Sequence, residues 1–313
     1  MALPKLFEGR LSVPVMAAPM FLISNPDLVL ACCRAGIVGS FPALNARPIE
    51  LLETWLERIT SALAPGDAPF AVNLIVHKSN TRLEQDLALV VKYRVPVVIT
   101  SLGARADVNE AVHAYGGIVF HDVIDDRFAR KAVERGADGL IAVAAGAGGH
   151  AGTQSPFALV QEIRDWFDGP LALSGAIANG RSIAAARALG ADLAYIGSAF
   201  IATDEADADP RYKRMVVESG AGDIVYSSFF TGVLGNYLAP SIVAAGLDPA
   251  ALAHADPSKM DFATLADGKT KAWRDIWGAG QGIGAVKDIV PAAALVARLK
   301  AEYEAALAAL QVK

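Results

Sequence analysis

Residues 134–143 have the sequence ERGADGLIAV, and residues 188–196 repeat its pattern as ALGADLAYI. In both stretches a helical segment ends at a glycine, and an aspartate precedes a short apolar run. An uninterrupted apolar run of this length is typical of a strand that is covered on both faces, as in a parallel sheet. The two near-copies therefore predict a repeated strand–helix unit.

The same alternation of apolar runs and amphipathic segments extends to about residue 200. Eight runs are predicted as strands, namely Val13–Ala17, Ile37–Phe41, Phe70–Val76, Val95–Thr100, Ile118–His121, Gly139–Val143, Leu171–Ser174 and Leu193–Gly197. Eight strand–helix units in a chain of this length predict an α/β fold, the (β/α)8 TIM barrel. An open doubly wound sheet is the alternative that the pattern leaves.

The pattern changes after residue 200. Residues 201–285 contain an acidic loop-like segment, a mixed helical and polar stretch, and a glycine-rich stretch at 278–284. We predict that this region is a mainly helical insertion after strand eight, which forms a lid over the C-terminal face of the barrel. Residues 1–200 and 286–313 then form the barrel itself, with Pro291–Leu310 as its eighth helix.

The composition argues against two classes of partner. The 313 residues carry 28 basic and 33 acidic side chains, a net charge of −5, and no basic run. Nucleic-acid binding needs clustered Lys and Arg against the phosphates, so no nucleic-acid partner is expected. No apolar stretch reaches the roughly 18 residues that a membrane helix needs, so no membrane partner is expected either.

Cysteine and histidine usage gives further expectations. Cys32 and Cys33 are adjacent, which makes them poor disulfide partners, and we predict that they are small buried apolar residues. No two histidines have the spacing of metal ligands, so no metal site is expected. No apolar leader segment follows the first residues, and a cytoplasmic location is the default expectation.

The turns after predicted strands seven and eight are candidates for a phosphate site. They contain Ser174-Gly175-Ala176 and Gly197-Ser198. The active site of a TIM barrel is built from the loops after its strands, and phosphate often binds at these two turns through backbone N–H groups. Glycine lets the backbone approach an anion closely. The alternative is that these glycines only make tight turns.

A glycine-rich loop after strand six surrounds a histidine. Residues 146–152 have the sequence GAGGHAG, with His150 inside the loop. A flat ligand can lie against such a loop, and a histidine of near-neutral pKa can take or give a proton. The alternative is a structural or merely exposed histidine. His121, at the end of predicted strand five, is the second histidine that could face the barrel mouth.

Together these motifs resemble the flavin-dependent nitronate monooxygenases, formerly called 2-nitropropane dioxygenases, and their relatives, the FMN-containing enoyl-ACP reductases. The resemblance covers most of the chain and implies that the barrel binds FMN. Its segments are 14–20 (PVMAAPM), 70–74 (FAVNL), 146–152 (GAGGHAG), 173–180 (LSGAIANG), 195–200 (YIGSAF) and 280–282 (GQG).

The resemblance also implies roles for individual residues. His150 has the position of the catalytic histidine, and Asn73 that of a flavin-binding amide. Met20, Phe21 and Phe229 are predicted as the wall of the substrate pocket, with core packing as the alternative role. The residues assigned to cofactor binding are Ala18, Pro19, Met20, Asn73, His121, Ala147, Gly149, Ser174, Gly175, Ala176, Gly197, Ser198 and Gln281.

Three positions depart from the pattern of the relatives. Asp122 stands where members that use NAD(P)H often have a basic residue. Ala145 and Ala147 stand where the enoyl reductases have acidic residues. These departures disfavour a reductase function for this chain.

The function that the resemblance implies is the FMN-dependent oxidation of alkyl nitronates by O₂ to a carbonyl compound and nitrite, with nitroalkanes as further candidate substrates. Two alternatives remain at this point. One is an FMN-dependent NAD(P)H:quinone or enoyl-thioester reductase, and the other is a barrel that has lost its cofactor and serves as a scaffold. The expected partners are a small-molecule substrate and O₂, and a homodimer is a possible assembly.

Overall fold

The computed structural model describes residues 3–230, 232–252 and 275–311. The strands of this part of the chain are β1 Val15–Ala17, β2 Gly39–Pro42, β3 Phe70–Ile75, β4 Val97–Ser101, β5 Ile118–Val123, β6 Gly139–Val143, β7 Gly149–His150, β8 Leu171–Ser174, β9 Leu193–Ile196, β10 Ile224–Ser227 and β11 Gly235–Leu238. Eight of them form one parallel sheet in the spatial order β1-β9-β8-β6-β5-β4-β3-β2.

The two outer strands of that order, β1 and β2, meet and close the sheet into a barrel. Met16 of β1 bridges Val38, just before β2, in parallel. The N–H of Ala17 donates to the backbone oxygen of Val38 at 2.8 Å, and the N–H of Val38 donates to that of Val15 at 3.1 Å. The predicted TIM barrel is therefore confirmed, and the open sheet is excluded.

Helices cover the outside of the barrel between its strands. Those of the described residues are α1 Pro26–Arg34, α2 Ile49–Ala62, α3 Leu83–Lys92, α4 Ala106–His113, α5 Asp126–Glu134, α6 Pro156–Arg164, α7 Gly180–Leu189, α8 Ser198–Ile201, α9 Pro210–Glu218, α10 Ala239–Ala244, α11 Pro249–Leu252 and α12 Ala292–Gln311.

The C-terminal helix α12 lies between α7 and α1 and packs against both. Leu295, Val296 and Leu299 on its inner side are buried. Glu302 accepts a hydrogen bond from the N–H of Gly180 at 2.8 Å, which places a carboxylate at the positive N-terminal end of α7. This helix therefore occupies the eighth helix position of the barrel, as the Ala/Leu-rich sequence predicts.

The side chains inside the barrel follow the two-residue alternation of the strands. An apolar plug fills the lower part and consists of Met16, Val38, Ala71, Val97, Ile99, Phe120, Ile141, Ala172 and Leu193. Two residues further along their strands, Asn73, Ser101 and Asp122 continue the inward-facing positions of Ala71, Ile99 and Phe120. The plug therefore ends in a polar floor at the C-terminal side of the barrel.

The chain after β9 supplies helices and also a strand pair that the sequence analysis did not predict. Strands β10 and β11 pair antiparallel, and β11 pairs in turn with the two-residue strand β7. A two-residue strand is too short to show an alternation pattern. Residues 253–274 of the predicted lid lie outside the described residues.

Within the described ranges, no helix is long and apolar enough to cross a bilayer. In the same ranges, no group of three or more His, Cys, Asp or Glu side chains is placed to hold a metal ion. Cys32 and Cys33 are buried free thiols, and burial raises the pKa of Cys33 to about 12. Both therefore act as small core residues.

Candidate active site

A cavity of about 390 Å³ opens at the C-terminal ends of the barrel strands. This volume lies in the range of small-molecule sites. Apolar and polar groups share its wall, and Tyr212 of α9 and Gly278 come from the region after the barrel. The predicted site residues that line the cavity are Ala18, Pro19, Met20, Phe21, Asn73, Gly149, His150, Ser174, Gly197 and Ser198.

Four glycine-containing turns meet beside this cavity, at residues 146–148, 175–176, 197–198 and 280–282, and are called the glycine turns below. The backbone oxygen of Gly146 accepts from the N–H of Ala176 at 3.2 Å and from that of Gln281 at 2.9 Å. Ser198 Oγ accepts from the N–H of Gly280 at 2.8 Å. These hydrogen bonds join the four turns into one backbone cluster.

The turns approach too closely for side chains at their glycines. A Cβ on Gly148 would lie 2.8 Å from the nitrogen of Gly280, and one on Gly280 would lie 2.6 Å from the oxygen of Gly146. Gly175 has φ +144°, and a Cβ there would lie 2.8 Å from the oxygen of Ala145. Only glycine fits at these three places without a shift of the backbone.

A smaller recess lies between the glycine turns and shares Ser174, Tyr195, Gly197 and Ser198 with the main cavity. Its described lining contains backbone, serine hydroxyl and tyrosine but no carboxylate, and Ala147, Gly175 and Ala176 belong to it. A wall of backbone N–H and hydroxyl donors without acidic groups fits a phosphate.

Gln281 lies at the edge of this recess. Its side-chain oxygen is 3.0 Å from the place that a Cβ of Gly146 would occupy, and its N–H binds the oxygen of the same residue. The structure therefore places the side chain of Gln281 against the neighbouring turn at Gly146 and outside the lining of both the main cavity and the recess.

His150 reaches the cavity from β7, and the strand β11 fixes its backbone. Gly235 stands opposite His150, and Asn236 stands opposite Gly149. The buried Asn236 side chain donates to the backbone oxygen of Ala147 at 2.6 Å, so it also holds the preceding turn. Sequence analysis missed Asn236, because a single amide in a short strand carries no recognisable motif.

The electrostatic surroundings of His150 favour its neutral form. Burial lowers the pKa of its imidazole below the ordinary value of 6.5. A neutral imidazole has one nitrogen able to accept a proton and one able to donate a hydrogen bond. At neutral pH this side chain can therefore act as a base or orient a bound group.

Asn73, Ser101 and Asp122 form a hydrogen-bonded chain on the floor of the cavity. Asn73 Nδ2 donates to Ser101 Oγ at 2.7 Å, and Ser101 Oγ donates to Asp122 Oδ2 at 2.6 Å. Burial raises the pKa of Asp122 to about 6, although the hydrogen bond from Ser101 opposes this shift. Burial, with a smaller effect of the Asp122 charge, raises the pKa of the neighbouring Tyr195 phenol.

His121 does not line the cavity, and this placement corrects the sequence-based expectation. Strand β5 continues to Val123, and its alternation turns His121 outward with Val119 while Asp122 faces the barrel interior. His121 is buried with Nδ1 2.6 Å from Thr100 Oγ1, and burial lowers its pKa to about 4. It is a neutral histidine in the layer between sheet and helices.

Phe229 is also placed away from the cavity lining. Its ring packs edge-on against Phe230 at a centroid distance of 5.1 Å, and Phe230 packs against Tyr237 at 4.8 Å. This cluster belongs to a small core that residues of the region after β9 form among themselves. Of the three predicted wall residues, Met20 and Phe21 therefore line the cavity, and Phe229 has the packing role.

The barrel, the glycine turns and the histidine beside them define a class of protein, a flavin-dependent oxidoreductase on a TIM barrel. The chain belongs to the nitronate monooxygenase family, whose model matches residues 80–302. This family is related to the FMN-containing enoyl-ACP reductases.

Individual relatives resemble the chain over nearly its whole length. A nitronate monooxygenase of Paraburkholderia phytofirmans is 27% identical over 352 residues, with 95% of this chain and 94% of the relative covered. FabK from Thermotoga maritima superposes with a TM-score of 0.81 at 25% identity, over 98% of this chain and 96% of that one. Nitroalkane oxidase from Streptomyces ansochromogenes superposes with a TM-score of 0.81 at 25% identity, over 98% of this chain and 100% of that one.

Proposed function

We propose that the protein is an FMN-dependent enzyme that oxidises alkyl nitronates, and their parent nitroalkanes, with O₂ to a carbonyl compound and nitrite. The observation that carries this proposal is that His150 lines the same cavity as the glycine turns. Family membership and the likeness to a nitroalkane oxidase support it.

In this proposal the glycine turns hold the FMN phosphate. Gly175, Gly197 and Ser198 supply backbone N–H groups, Ser198 adds its hydroxyl, and Ala176 lines the same recess. No carboxylate of the described recess lining opposes the negative charge. The turn Ala18–Met20 and the side chain of Asn73 line the adjoining cavity, where the ring would be seated. Bound FMN supplies the redox chemistry, which accepts electrons from the substrate and passes them to O₂.

His150 then works on the substrate in one of two ways. An alkyl nitronate is already an anion and needs no base, so a hydrogen bond from the imidazole would orient its nitro group. A neutral nitroalkane must first lose a proton from carbon, and the neutral imidazole of His150 can accept it. The short strand pairing with Gly235 fixes the backbone from which the imidazole extends for both roles.

The apolar side of the cavity limits the access of water to the reacting groups. Met20, Phe21 and Ile75 line it together with other apolar residues. We extend the proposal to the domain division, in which residues 1–200 and 286–313 bind FMN and residues 201–285 form the lid. The contributions of Tyr212 and Gly278 to the cavity wall support this division.

The second candidate function is that of an FMN-dependent NAD(P)H:quinone or enoyl-thioester reductase. The likeness to FabK, at the same TM-score as the nitroalkane oxidase, is the observation that favours it. Anaerobic mixing of the yellow protein with each reductant separates the two candidates. Rapid bleaching by an alkyl nitronate, but not by NADH or NADPH, is the result we expect, and bleaching by a nicotinamide alone would support the reductase.

Further parts of the proposal concern the surroundings of the enzyme. We propose a cytoplasmic enzyme whose partners are a small-molecule substrate and O₂, with a homodimer as its assembly. Cell fractionation tests the location. Sedimentation velocity of the FMN-loaded protein tests the assembly, and a single species with the mass of one chain would contradict it.

A further inference from the structure

Asp122 is a titratable group on the cavity floor that the proposed function leaves without a role. Its Oδ2 accepts from Ser101 Oγ at 2.6 Å, and Ser101 Oγ accepts from Asn73 Nδ2 at 2.7 Å. All three side chains line the cavity. These hydrogen bonds decide which of their atoms remain for a ligand.

The second contact of Asn73 fixes the orientation of its amide. Nδ2 also lies 3.1 Å from the backbone oxygen of Ile99, which can only accept a hydrogen bond. Both amide hydrogens are therefore used, and Asn73 offers its Oδ1 acceptor to the cavity. The hydroxyl hydrogen of Ser101 is directed to Asp122 Oδ2, so Asp122 Oδ1 is the second acceptor on the floor.

The charge of Asp122 has no cationic counterpart in the described lining of the cavity, which contains neither Lys nor Arg. The other titratable groups in that lining are His150 of β7, Tyr195 of β9 and Tyr212 of α9. Burial lowers the pKa of His150 and raises the pKa of both tyrosines, which leaves all three neutral near pH 8. An unbalanced carboxylate in a partly desolvated cavity repels added negative charge more strongly than in water.

We propose that Asp122, positioned by Ser101 and Asn73, is a specificity-determining residue that makes the cavity discriminate against negatively charged ligands. A ligand that brings N–H or O–H hydrogens is favoured by the two acceptors on the floor. Within the proposed function, on which this part rests, Asp122 makes the neutral nitroalkane bind more tightly than its nitronate anion. The nitronate is still oxidised but needs a higher concentration to saturate the site. The same charge opposes negative charge on the ring of bound FMN and so lowers its reduction potential.

The primary test compares a neutral ligand with an anion of the same shape, propionamide with propionate. Calorimetric titration of the wild-type protein at about pH 8 should show propionamide binding roughly tenfold more tightly, the factor expected for one nearby charge. Asp122→Asn removes the charge and keeps the shape, so the two affinities should become similar. Asp168→Asn removes the same charge from an exposed position and should keep the wild-type ratio.

Binding of propionate as tight as that of propionamide to the wild-type protein, or binding of neither, would overturn the proposal. An unchanged ratio in Asp122→Asn would do the same. If that variant does not fold, His150→Asn offers another route, since it removes the one group of the described lining that can become cationic. In this variant the discrimination should fall between about pH 8 and about pH 5.5, as Asp122 becomes protonated.

A second readout concerns the FMN-loaded protein. Equilibration with a reference dye should give a higher reduction potential for Asp122→Asn than for wild type or Asp168→Asn, and equal potentials would contradict the effect on the ring. Failure to bind FMN would refute the proposed function instead. The comparison of propionamide with propionate would then still test the charge of the floor.

Discussion

The side-chain amide of Asn236 donates a 2.6 Å hydrogen bond to the backbone oxygen of Ala147. This contact connects the strand β11, which follows the barrel in sequence, to the loop that carries His150. Strand β11 also pairs with β7, which contains His150. The position of the histidine therefore depends on this pairing and on the hydrogen bond to Ala147. The barrel carries three of the four glycine turns, whereas the added strand pair holds the backbone at Ala147 and His150.

Replacement of Asn236 should therefore reduce activity through the placement of His150. Asn236→Ala leaves the oxygen of Ala147 without this donor, and we expect a loss of about 1–3 kcal/mol in stability. A displacement of His150 by about 1 Å should lower nitroalkane turnover by up to about 100-fold. Denaturant unfolding and steady-state kinetics measure the two effects.

Asn109→Ala is the matched control for this prediction. Asn109 is another buried amide, which donates to the oxygen of Arg135 at 2.9 Å on the outer side of the barrel. Asn109→Ala should reduce the free energy of unfolding by a comparable amount and leave nitroalkane turnover unchanged. Equal loss of turnover in the two variants would show that Asn236 supports only the fold.

His150→Asn should separate the two roles of the imidazole. If the side chain removes a proton from a nitroalkane, turnover of that substrate should fall by about 10²–10⁴, whereas turnover of the nitronate should fall much less. Steady-state rates of O₂ consumption with the two forms of one compound measure the difference. Equal losses on both forms would argue against the role as a base.

The pH dependence of nitroalkane turnover gives an independent check. A base must be neutral to accept a proton, and burial lowers the pKa of His150 below 6.5. The rate should therefore be constant around neutral pH and should decrease only at a pH below that value. A decrease that begins above neutral pH would show that another group controls the reaction.

The glycine turns should tolerate no added methyl group. A Cβ at position 148 would lie 2.8 Å from the backbone nitrogen of Gly280, so the turns would have to move apart. We expect Gly148→Ala to weaken FMN binding at least about fivefold, given a cost of about 1–3 kcal/mol for overpacking. Gly66→Ala, whose Cβ would meet nothing within 4 Å, is the control. Quenching of FMN fluorescence gives the FMN affinity of both variants. Equal affinities would contradict the binding of FMN by the glycine turns.

His121 should affect stability but not the cofactor. Burial lowers its pKa from 6.5 to about 4, so the unfolded chain binds a proton more readily between these values. The buried neutral histidine thus makes its full contribution to the free energy of unfolding above about pH 6.5, and this contribution is lost as pH falls toward 4. Between pH 7 and pH 4, the free energy of unfolding of the wild type should decrease by about 2–3 kcal/mol more than that of His121→Gln. The raised pKa of Asp122 acts in the opposite sense in both proteins and cancels in the comparison.

Urea unfolding at the two pH values measures this difference, and a constant difference would contradict a buried neutral His121. The same variant should bind FMN as tightly as the wild type, because its side chain faces the helix layer. A loss of FMN affinity would instead support the role that the sequence resemblance implied for His121.

The barrel was predictable from the sequence because most of its strands are largely apolar runs, and because the turns after helices such as α5 and α7 contain a glycine. Residues 134–143 show this in full, since the predicted strand Gly139–Val143 has the bounds of β6. The orientation of His121 was not predictable to the same degree. Apolar residues occupy both faces of β5 before this point, with Phe120 on the inner face and Val119 on the outer one. The alternation of the sequence alone therefore does not show whether His121 or Asp122 faces inward.

The residues of the candidate site also fall into two groups, those that the sequence indicates and those that it does not. The glycine turns and His150 form contiguous motifs, so the sequence alone indicates them. The contributions of Asn236, Ser101 and Tyr212 come from separate elements that only the folded chain brings together. Phe229 shows the reverse error, because an aromatic residue in the region after the barrel strands gives no sign of whether it faces a cavity or a small core.

A crystal structure of the protein soaked with FMN shows whether the glycine turns and His150 form one cofactor site. We expect electron density for the phosphate against the turns at Gly175 and Gly197, with the ring in the cavity beside the imidazole of His150. Density for FMN elsewhere, or a ring separated from His150 by the width of the barrel, would contradict this expectation.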